Sequence, residues 1–132
     1  MSSDTLSNCI LLMEDEELVS SIAMQMLEFI GYDSVLAVDG GQAIELYQKR
    51  YTSGTPFSGV IMDLTIPNGR GGEQTVQELL KIDSSAKVIV SSGYSDDPAM
   101  VKYDDFGFCA AISKPFNIQE LTQVLQVLEP EK

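Results

Sequence analysis

Short apolar segments alternate with segments of helical periodicity along the whole chain. The apolar segments predict strands at residues 9–13, 34–38, 59–63, 87–91 and 109–113. Between them, apolar residues recur every three or four positions, which is typical of helices that pack on a sheet. Strict alternation of this kind predicts an α/β domain with a doubly wound, five-stranded parallel sheet, because right-handed crossovers place helices on both of its faces.

The third predicted strand ends in a carboxylate. Residues 60–62 are apolar and lead directly to Asp63, and the proline, asparagine and glycine at 67–69 favour a loop after it. Open α/β sheets bind their ligands at the carboxyl ends of such strands. Asp63 is therefore a candidate site residue, although an aspartate also commonly begins a turn, and this stretch alone leaves both interpretations open.

The predicted helices have recognisable ends. Short polar side chains that can accept a hydrogen bond from the first helical turn precede three of them. The second and last helices also show the spacing of a capping box, and the fourth has proline at its first position. The predicted caps are Asp39 with Gln42, Asp97 before Pro98, and Asn117 with Glu120.

The first helix carries a broad apolar face, and Gly31 is placed to end it. We expect this face to pack on the sheet, because a surface helix buries its apolar side. The face has two adjacent rows of residues, which are Leu18, Ile22, Met26 and Ile30, and beside them Val19, Ala23 and Leu27.

The charge and composition exclude several classes of function. The 8 basic and 20 acidic residues give a net charge of -12, which repels nucleic acid and anionic membranes. The chain has no histidine, which excludes histidine-dependent catalytic triads and the commonest zinc ligand. The longest apolar run is too short to cross a bilayer, so we expect a cytoplasmic protein.

A chain of 132 residues favours one domain. We expect a loose lead-in at residues 1–8, the domain at 9–128 and a short tail at 129–132. Cys9 and Cys109 are too few and too far apart for the disulfide framework of a small secreted domain. We expect both to be buried thiols in a reducing compartment.

Polar residues follow four of the predicted strands, and the carboxyl ends of parallel strands lie along one edge of the sheet. These residues, which should converge, are Glu14, Asp15, Asp63, Ser92 and Lys114. Two carboxylates about 4 Å apart repel by roughly 4 kcal/mol at an effective dielectric constant near 20. Mg²⁺ would relieve this repulsion, because it prefers oxygen ligands. A carboxylate can attack a phosphoryl group, while an ammonium group and a hydroxyl can contact phosphate oxygens.

Four motifs, in this order, carry a family resemblance. They are ILLMEDE at residues 10–16, VIMDLTIP at 60–67 with Gly71 after it, VIVSSG at 88–93 and KPF at 114–116. With them the chain resembles the receiver domain of two-component response regulators over about residues 8–128. The resemblance implies a (βα)5 flavodoxin-like fold with strand order 2-1-3-4-5.

The resemblance also implies a phosphoacceptor and a metal site. Asp63 would accept a phosphoryl group from a phosphohistidine on a histidine kinase or a histidine phosphotransfer protein. Mg²⁺ would be held by Asp15, Asp63 and the backbone carbonyl of Thr65. Glu14 would act on the ion largely through water.

The resemblance also implies roles for Lys114 and Ser92. Lys114 and Ser92 would contact phosphate oxygens, and the peptide bond between Lys114 and Pro115 would be cis. Receiver domains typically form dimers and bind partners through the fourth helix, fifth strand and last helix, so this surface is the candidate for a homodimer. Output would occur through protein contacts or through a longer parent protein, such as a hybrid histidine kinase.

The sequence departs from the family pattern at two positions. Glu14 stands where aspartate is commoner, and its longer side chain should still reach a metal-bound water. Ala111 stands three residues before Lys114, where the family usually has a rotating aromatic residue. The aromatic switch is therefore not carried over, and Tyr94 and Phe108 are the alternatives for this role.

Other functions remain as alternatives. A haloacid-dehalogenase-like phosphatase also forms an aspartyl phosphate, but it needs an acid two positions after the nucleophile, where this chain has Thr65. A degenerate receiver that only docks to partners would lack Asp63 or Lys114, and both are present. We expect a signalling module with at most slow self-phosphorylation and autodephosphorylation, not a dedicated metabolic enzyme.

Overall fold

The structure is a computed structural model, and it describes residues 8–64 and 72–128. Within these residues, five parallel strands form a sheet of order β2-β1-β3-β4-β5, which confirms the predicted topology. The strands are β1 (Cys9–Met13), β2 (Asp33–Ala37), β3 (Gly59–Asp63), β4 (Val88–Ser92) and β5 (Ala110–Ser113). The helices are α1 (Glu17–Ile30), α2 (Gly40–Thr52), α3 (Gly72–Ile82), α4 (Pro98–Val101) and α5 (Ile118–Leu125), with 3₁₀ helices at Tyr103–Phe106 and Gln126–Leu128.

The sheet separates two hydrophobic cores. Every residue of β1, β3 and β4 is buried, which explains the run of at least three apolar residues in each of these strands. Alternate side chains point to opposite faces. Ile10, Ile61 and Ile89 pack in the core with α1 and α5, whereas Val60 and Val90 pack in the core with α2 and α3.

The predicted N-cap hydrogen bonds are present, but the capping box predicted for α2 is incomplete, because Gln42 Oε1 accepts the backbone N–H of Val38 and not that of Asp39. Asp39 Oδ1 accepts the backbone N–H of Gln42 at 2.9 Å, and Asp97 Oδ1 accepts that of Ala99 at 2.9 Å. Asn117 and Glu120 form the complete capping box of α5, with hydrogen bonds of 2.7 and 3.0 Å. These contacts fix where α5 begins, a few residues after Lys114.

Strand boundaries differ from the prediction by one residue in β2, β4 and β5. β2 begins at Asp33, because Asp33 pairs with Cys9 of β1. Asp33 is an exposed acid on an edge strand, so the apolar pattern of the sequence does not include it. Only its backbone pairing places it in the sheet. β4 likewise ends at Ser92, which pairs with Ser113 of β5.

The predicted packing of α1 was wrong for Leu18 and Ile22, whereas Met26 and Ile30 of the same row are partly buried and pack against the core. Leu18 is 73% exposed and Ile22 is 46% exposed, whereas Ala23 and Leu27 are buried. The helix is therefore turned so that the row containing Ala23 faces the sheet. Small Ala23 lets the helix approach the strands closely, and an apolar arc this broad leaves the rotation of a helix open to tertiary packing.

The prediction that both cysteines are buried holds for Cys9 and was wrong for Cys109, which is only half-buried near the start of β5. Both thiols are free. Partial burial raises the pKa of the Cys109 thiol.

Among the helices that the structure describes, none has the length and apolar character needed to span a membrane.

Candidate functional site

Three acids meet at the carboxyl edge of the sheet. Glu14 and Asp15 follow β1, and Asp63 ends β3. The pairing of Met13 with Met62 brings the residues that follow them side by side. Each acid offers one carboxylate oxygen, and these oxygens lie within 4.8 Å of one another. Such a set of hard oxygen donors fits a divalent cation such as Mg²⁺.

The acids differ in exposure. Glu14 is 4% exposed and Asp63 is 6% exposed, whereas Asp15 is open to solvent. Glu14 Oε2 also accepts the backbone N–H of Glu16 at 3.2 Å. Buried carboxylates need compensating partners, because burial disfavours the charged form. Asp15 is thus the most accessible of the three acids.

Lys114 supplies the compensating cation. Its ammonium nitrogen lies 3.0 Å from Glu14 Oε1 and 3.3 Å from Asp63 Oδ1. Partial burial lowers the pKa of Lys114, but the hydrogen bond to Glu14 and the charges of Asp63 and Glu14 outweigh this effect, so the pKa is raised. Three carboxylates and one ammonium leave an excess of negative charge, which favours a cation. The peptide bond between Lys114 and Pro115 is cis, as the resemblance implied.

Ser92 belongs to the same site and is only 2% exposed. It lines an open cleft of about 440 Å³ together with Asp15, Asp63, Lys114 and Tyr94. Ser92 Oγ accepts the backbone N–H of Tyr94 at 3.0 Å. Because this bond uses only an oxygen lone pair, the hydroxyl proton of Ser92 remains able to donate to a ligand in the cleft.

The structure brings together all the predicted side chains of the site. Thr65, whose carbonyl was predicted to bind the metal, lies outside the described residues. Ala111 is half-buried and packs against the core. Of the two alternatives for the missing aromatic residue, Phe108 is buried in that core, whereas Tyr94 is 69% exposed on the rim of the cleft.

Sequence reasoning assigned no role at the site to Gly72 or Ser91, and both residues lie next to Asp63. A Cβ at Gly72 would lie 3.1 Å from the backbone oxygen of Asp63 and 3.2 Å from Cα of Leu64, so α3 begins close against the end of β3. Ser91 pairs in register with Asp63. The alternation of side chains along β4 was the signal that could have placed Ser91 on the same face as Asp63.

Comparison with known families agrees with this geometry. The family model of the response regulator receiver domain matches residues 10–126. The chain belongs to the response regulator receiver domain family. Receiver domains interact with histidine kinases or phosphotransfer proteins and generally bind Mg²⁺, and the acidic cluster of this receiver domain fits that ion.

Two relatives of this receiver domain are longer proteins than this chain. The chain is 30% identical over 112 residues to the uncharacterized transcriptional regulatory protein YkoG of Bacillus subtilis, covering 85% of this chain and 46% of YkoG. It is 32% identical over 132 residues to the sensor kinase CckA of Brucella abortus, covering 95% of this chain and 13% of CckA. The chain therefore spans less than half the length of either relative.

A solved structure shows the same fold. The receiver domain of the sensor histidine kinase PA1611 from Pseudomonas aeruginosa superposes with a TM-score of 0.80 at 22% identity. The superposition covers 92% of this chain and 97% of that domain. The receiver fold is thus shared over nearly the whole of both chains.

Proposed function

We propose that this receiver domain accepts a phosphoryl group onto Asp63 from a phosphohistidine on a partner protein. The observation that carries the proposal is the position of the Asp63 carboxylate. It is 6% exposed, it ends the central strand β3, and it lies 3.3 Å from the Lys114 ammonium. An acid held beside a fixed cation, at the open edge of a parallel sheet, is arranged to receive an anionic group.

The proposed metal site uses the oxygen donors beside Asp63. Asp15 and Asp63 would hold Mg²⁺, with the backbone carbonyl of Thr65, and Glu14 would act largely through water. Two observations support this assignment: the three carboxylate oxygens lie within 4.8 Å of one another, and both oxygens of Glu14 already accept hydrogen bonds, from Lys114 and from the backbone N–H of Glu16. The comparison structure from Pseudomonas aeruginosa is described with a magnesium ion coordinated in its active site cleft. Bound Mg²⁺ would neutralise negative charge on the incoming phosphoryl group.

The proposed transfer is a displacement at phosphorus. A carboxylate oxygen of Asp63 forms the new O–P bond while the P–N bond to the donor imidazole breaks, and the released imidazole keeps the electron pair of that bond. Lys114 contributes a positive charge and Ser92 a hydroxyl proton to the phosphoryl oxygens. Since these 132 residues include no histidine, the donor imidazole must lie outside this receiver domain.

A groove beside the site is the proposed docking surface for the phosphohistidine donor. Val19, Ile22 and Met26 of α1 line one side of it, and Pro115 and Phe116 line the other. The groove has a volume of about 320 Å³ and also includes Lys114, so it opens directly next to the acceptor. An apolar groove of this kind suits the apolar face of a partner helix.

The surface of α4, β5 and α5 remains the proposed homodimer surface. Val101 of α4 is 62% exposed, and Ile118 of α5 is 37% exposed. Exposed apolar side chains on neighbouring elements are consistent with a contact between two copies. Sedimentation of the protein with and without beryllofluoride and Mg²⁺ tests this proposal, because a phosphorylation-dependent dimer should sediment faster only when both are present.

Acetyl phosphate with Mg²⁺ tests the acceptor. We expect the intact mass of the protein to rise by one phosphoryl group, and we expect no gain in Asp63→Asn. Asp96→Asn, which removes the same charge from an exposed loop residue, is the matched control and should be phosphorylated normally. A full mass gain in Asp63→Asn, or none in the unaltered protein, would refute the proposal.

Phosphotransfer from a phosphohistidine protein tests the docking groove. Ile22→Ser should slow this transfer and leave phosphorylation by acetyl phosphate unchanged, because the small donor needs no protein surface. Phe29→Ser is the control, since Phe29 is at least as exposed as Ile22 and does not line the groove. Equal slowing by both variants would place the contact elsewhere.

A further inference from the structure

Ser91 has a buried hydroxyl group that the roles described so far do not use. The residue is 3% exposed, and Ser91 Oγ has no hydrogen-bond partner within residues 8–64 and 72–128. A buried polar atom without a partner destabilises the folded state, so native proteins seldom leave one unsatisfied. We therefore expect the Ser91 hydroxyl to have a hydrogen-bond partner, such as a water molecule, beside it.

The sheet register places this hydroxyl on the inner side of the acceptor. Ser91 pairs with Asp63 across β3 and β4. Two residues earlier on each strand, Ile61 and Ile89 both pack in the core beneath α1 and α5. Because side chains alternate along a strand, Asp63 and Ser91 face the same side.

A small cavity lies beside Ser91 Oγ. Its volume is about 10 Å³, and its lining includes the polar residues Glu14, Asp63, Ser91 and Lys114. The remaining lining is apolar and comes mainly from the strands and α1, so the cavity is distinct from the open cleft that contains Ser92. A space of roughly 10–15 Å³ accommodates one water molecule if two to four polar groups can bind it.

Lys114 can also bind a water molecule in this cavity. Its ammonium has three protons, and contacts to Glu14 and Asp63 use two of them. One water molecule in the cavity can accept this third proton and the hydroxyl proton of Ser91, while it donates its own hydrogens to carboxylate oxygens. This arrangement satisfies the buried hydroxyl and joins it to both charged groups of the acceptor.

We propose that Ser91 is a positioning residue that holds one buried water against Lys114 and Asp63. The proposal rests on the proposed role of Asp63 as phosphoacceptor. The water supports the ammonium and the carboxylate from the inner side, so that their spacing is set before a phosphoryl donor arrives. Preorganised charged groups need less rearrangement during the reaction, and loss of the water should slow phosphorylation.

The test compares the initial rate of phosphorylation by acetyl phosphate at saturating Mg²⁺ in matched variants. Ser91→Val and Ser91→Thr add a methyl group at the same atom and differ in the hydroxyl. We expect the rate to fall about threefold to tenfold in Ser91→Val and to stay within about twofold in Ser91→Thr, since a three- to tenfold change corresponds to about 0.7–1.4 kcal/mol. Equal rates in these two variants would overturn the proposal.

A control separates positioning from a general effect of a buried hydroxyl. Ser20 is equally buried, and its Oγ donates to the backbone oxygen of Glu17 at 3.0 Å, inside α1. Ser20→Ala should leave the phosphorylation rate unchanged, while Ser91→Ala should lower it. Urea unfolding of each variant identifies any rate change that follows loss of fold.

A crystal structure at a resolution that shows ordered water supplies a readout that is independent of phosphorylation. We expect one water within hydrogen-bond distance of both Ser91 Oγ and Lys114 Nζ in the unaltered protein. A dry cavity would overturn the inference about Ser91 while leaving Asp63 as acceptor. Absence of phosphorylation at Asp63 in the unaltered protein would instead overturn the proposed function.

Discussion

Lys114 Nζ lies 3.3 Å from Asp63 Oδ1, although the strands that position the two residues are not neighbours in the sheet. Asp63 ends β3, Lys114 follows β5, and β4 runs between them. The lysine side chain therefore reaches over the end of β4 to the acid. The ion pair depends on the strand order and joins two loops that are remote in the sequence.

Removal of this cation should strengthen Mg²⁺ binding. Lys114 neutralises part of the charge of Glu14 and Asp63, so in Lys114→Ala the three acids repel one another more strongly and gain more from a divalent ion. We predict that the dissociation constant for Mg²⁺, measured by isothermal titration calorimetry, falls by roughly tenfold. Phosphorylation by acetyl phosphate should become slower in the same variant.

Lys102→Ala is the control for this prediction. Lys102 is exposed, and replacing it changes the net charge of the protein by the same amount. Its effect on Mg²⁺ affinity should be small, because exposed charges at a distance are screened by salt. An unchanged affinity in Lys114→Ala would show that the ammonium does not compete with the ion.

Gly72→Ala should disturb Asp63 through the backbone. The added Cβ would lie 3.1 Å from the backbone oxygen of Asp63 and 3.2 Å from Cα of Leu64, and backbone atoms cannot move aside as a side chain can. We predict a loss of about 1–3 kcal/mol in the free energy of unfolding, measured in urea, and weaker Mg²⁺ binding.

Gly41→Ala provides the comparison. Gly41 is exposed in α2, and a Cβ there meets only Asp39 Oδ1 at the ordinary contact distance of 3.4 Å. Alanine is a better helix former than glycine, so this variant should gain up to about 1 kcal/mol. If Gly72→Ala were as stable as Gly41→Ala, the close contact with Asp63 would not constrain the site.

The rotation of α1 can be tested by truncating one residue from each apolar row. Leu27 is fully buried, and Leu27→Ala should lower the free energy of unfolding by about 2–5 kcal/mol. Leu18 is 73% exposed, and Leu18→Ala should change the free energy of unfolding by no more than about 0.5 kcal/mol. A reversed order in urea unfolding would mean that α1 presents the Leu18 row to the sheet.

Tyr47 links α2 to the end of α3 and should give the protein an alkaline pH dependence. Its hydroxyl donates to Asp83 Oδ2 at 2.8 Å. Burial, and then this hydrogen bond, raise the pKa of Tyr47 above its ordinary value of 10.0. As the pH rises above about 10, tyrosine in the unfolded chain loses its proton while folded Tyr47 keeps it, so stability is complete below that pH and declines above it.

Tyr47→Phe should therefore cost about 1 kcal/mol at neutral pH and show a shallower decline in stability above about pH 10. Urea unfolding at a series of pH values measures both effects. Tyr94→Phe is the control, because Tyr94 is exposed and its hydroxyl should contribute little. Parallel pH profiles for Tyr47→Phe and the unaltered protein would contradict this assignment.

Local interactions made much of the fold predictable. The helix caps at Asp39, Asp97 and Asn117 bind backbone groups two or three residues away, so the chemistry that begins each helix is visible in a short stretch of sequence. The buried strand β1 is an unbroken apolar run, and β3 and β4 each contain three consecutive apolar residues. Alternation of these elements was enough to predict a parallel sheet and to expect the acids, hydroxyl and ammonium at one edge.

Tertiary structure alone decided how those parts meet. The rotation of α1 follows from the fit of Ala23 and Leu27 against the sheet, which periodicity cannot select from a broad apolar arc. The choice of Glu14 and Asp63 as partners of Lys114, and the burial of the Ser91 hydroxyl beside Asp63, depend on side chains from separate strands. Hydrogen bonds within a turn are encoded by neighbouring residues, whereas contacts across a sheet are set by the packing of the whole domain.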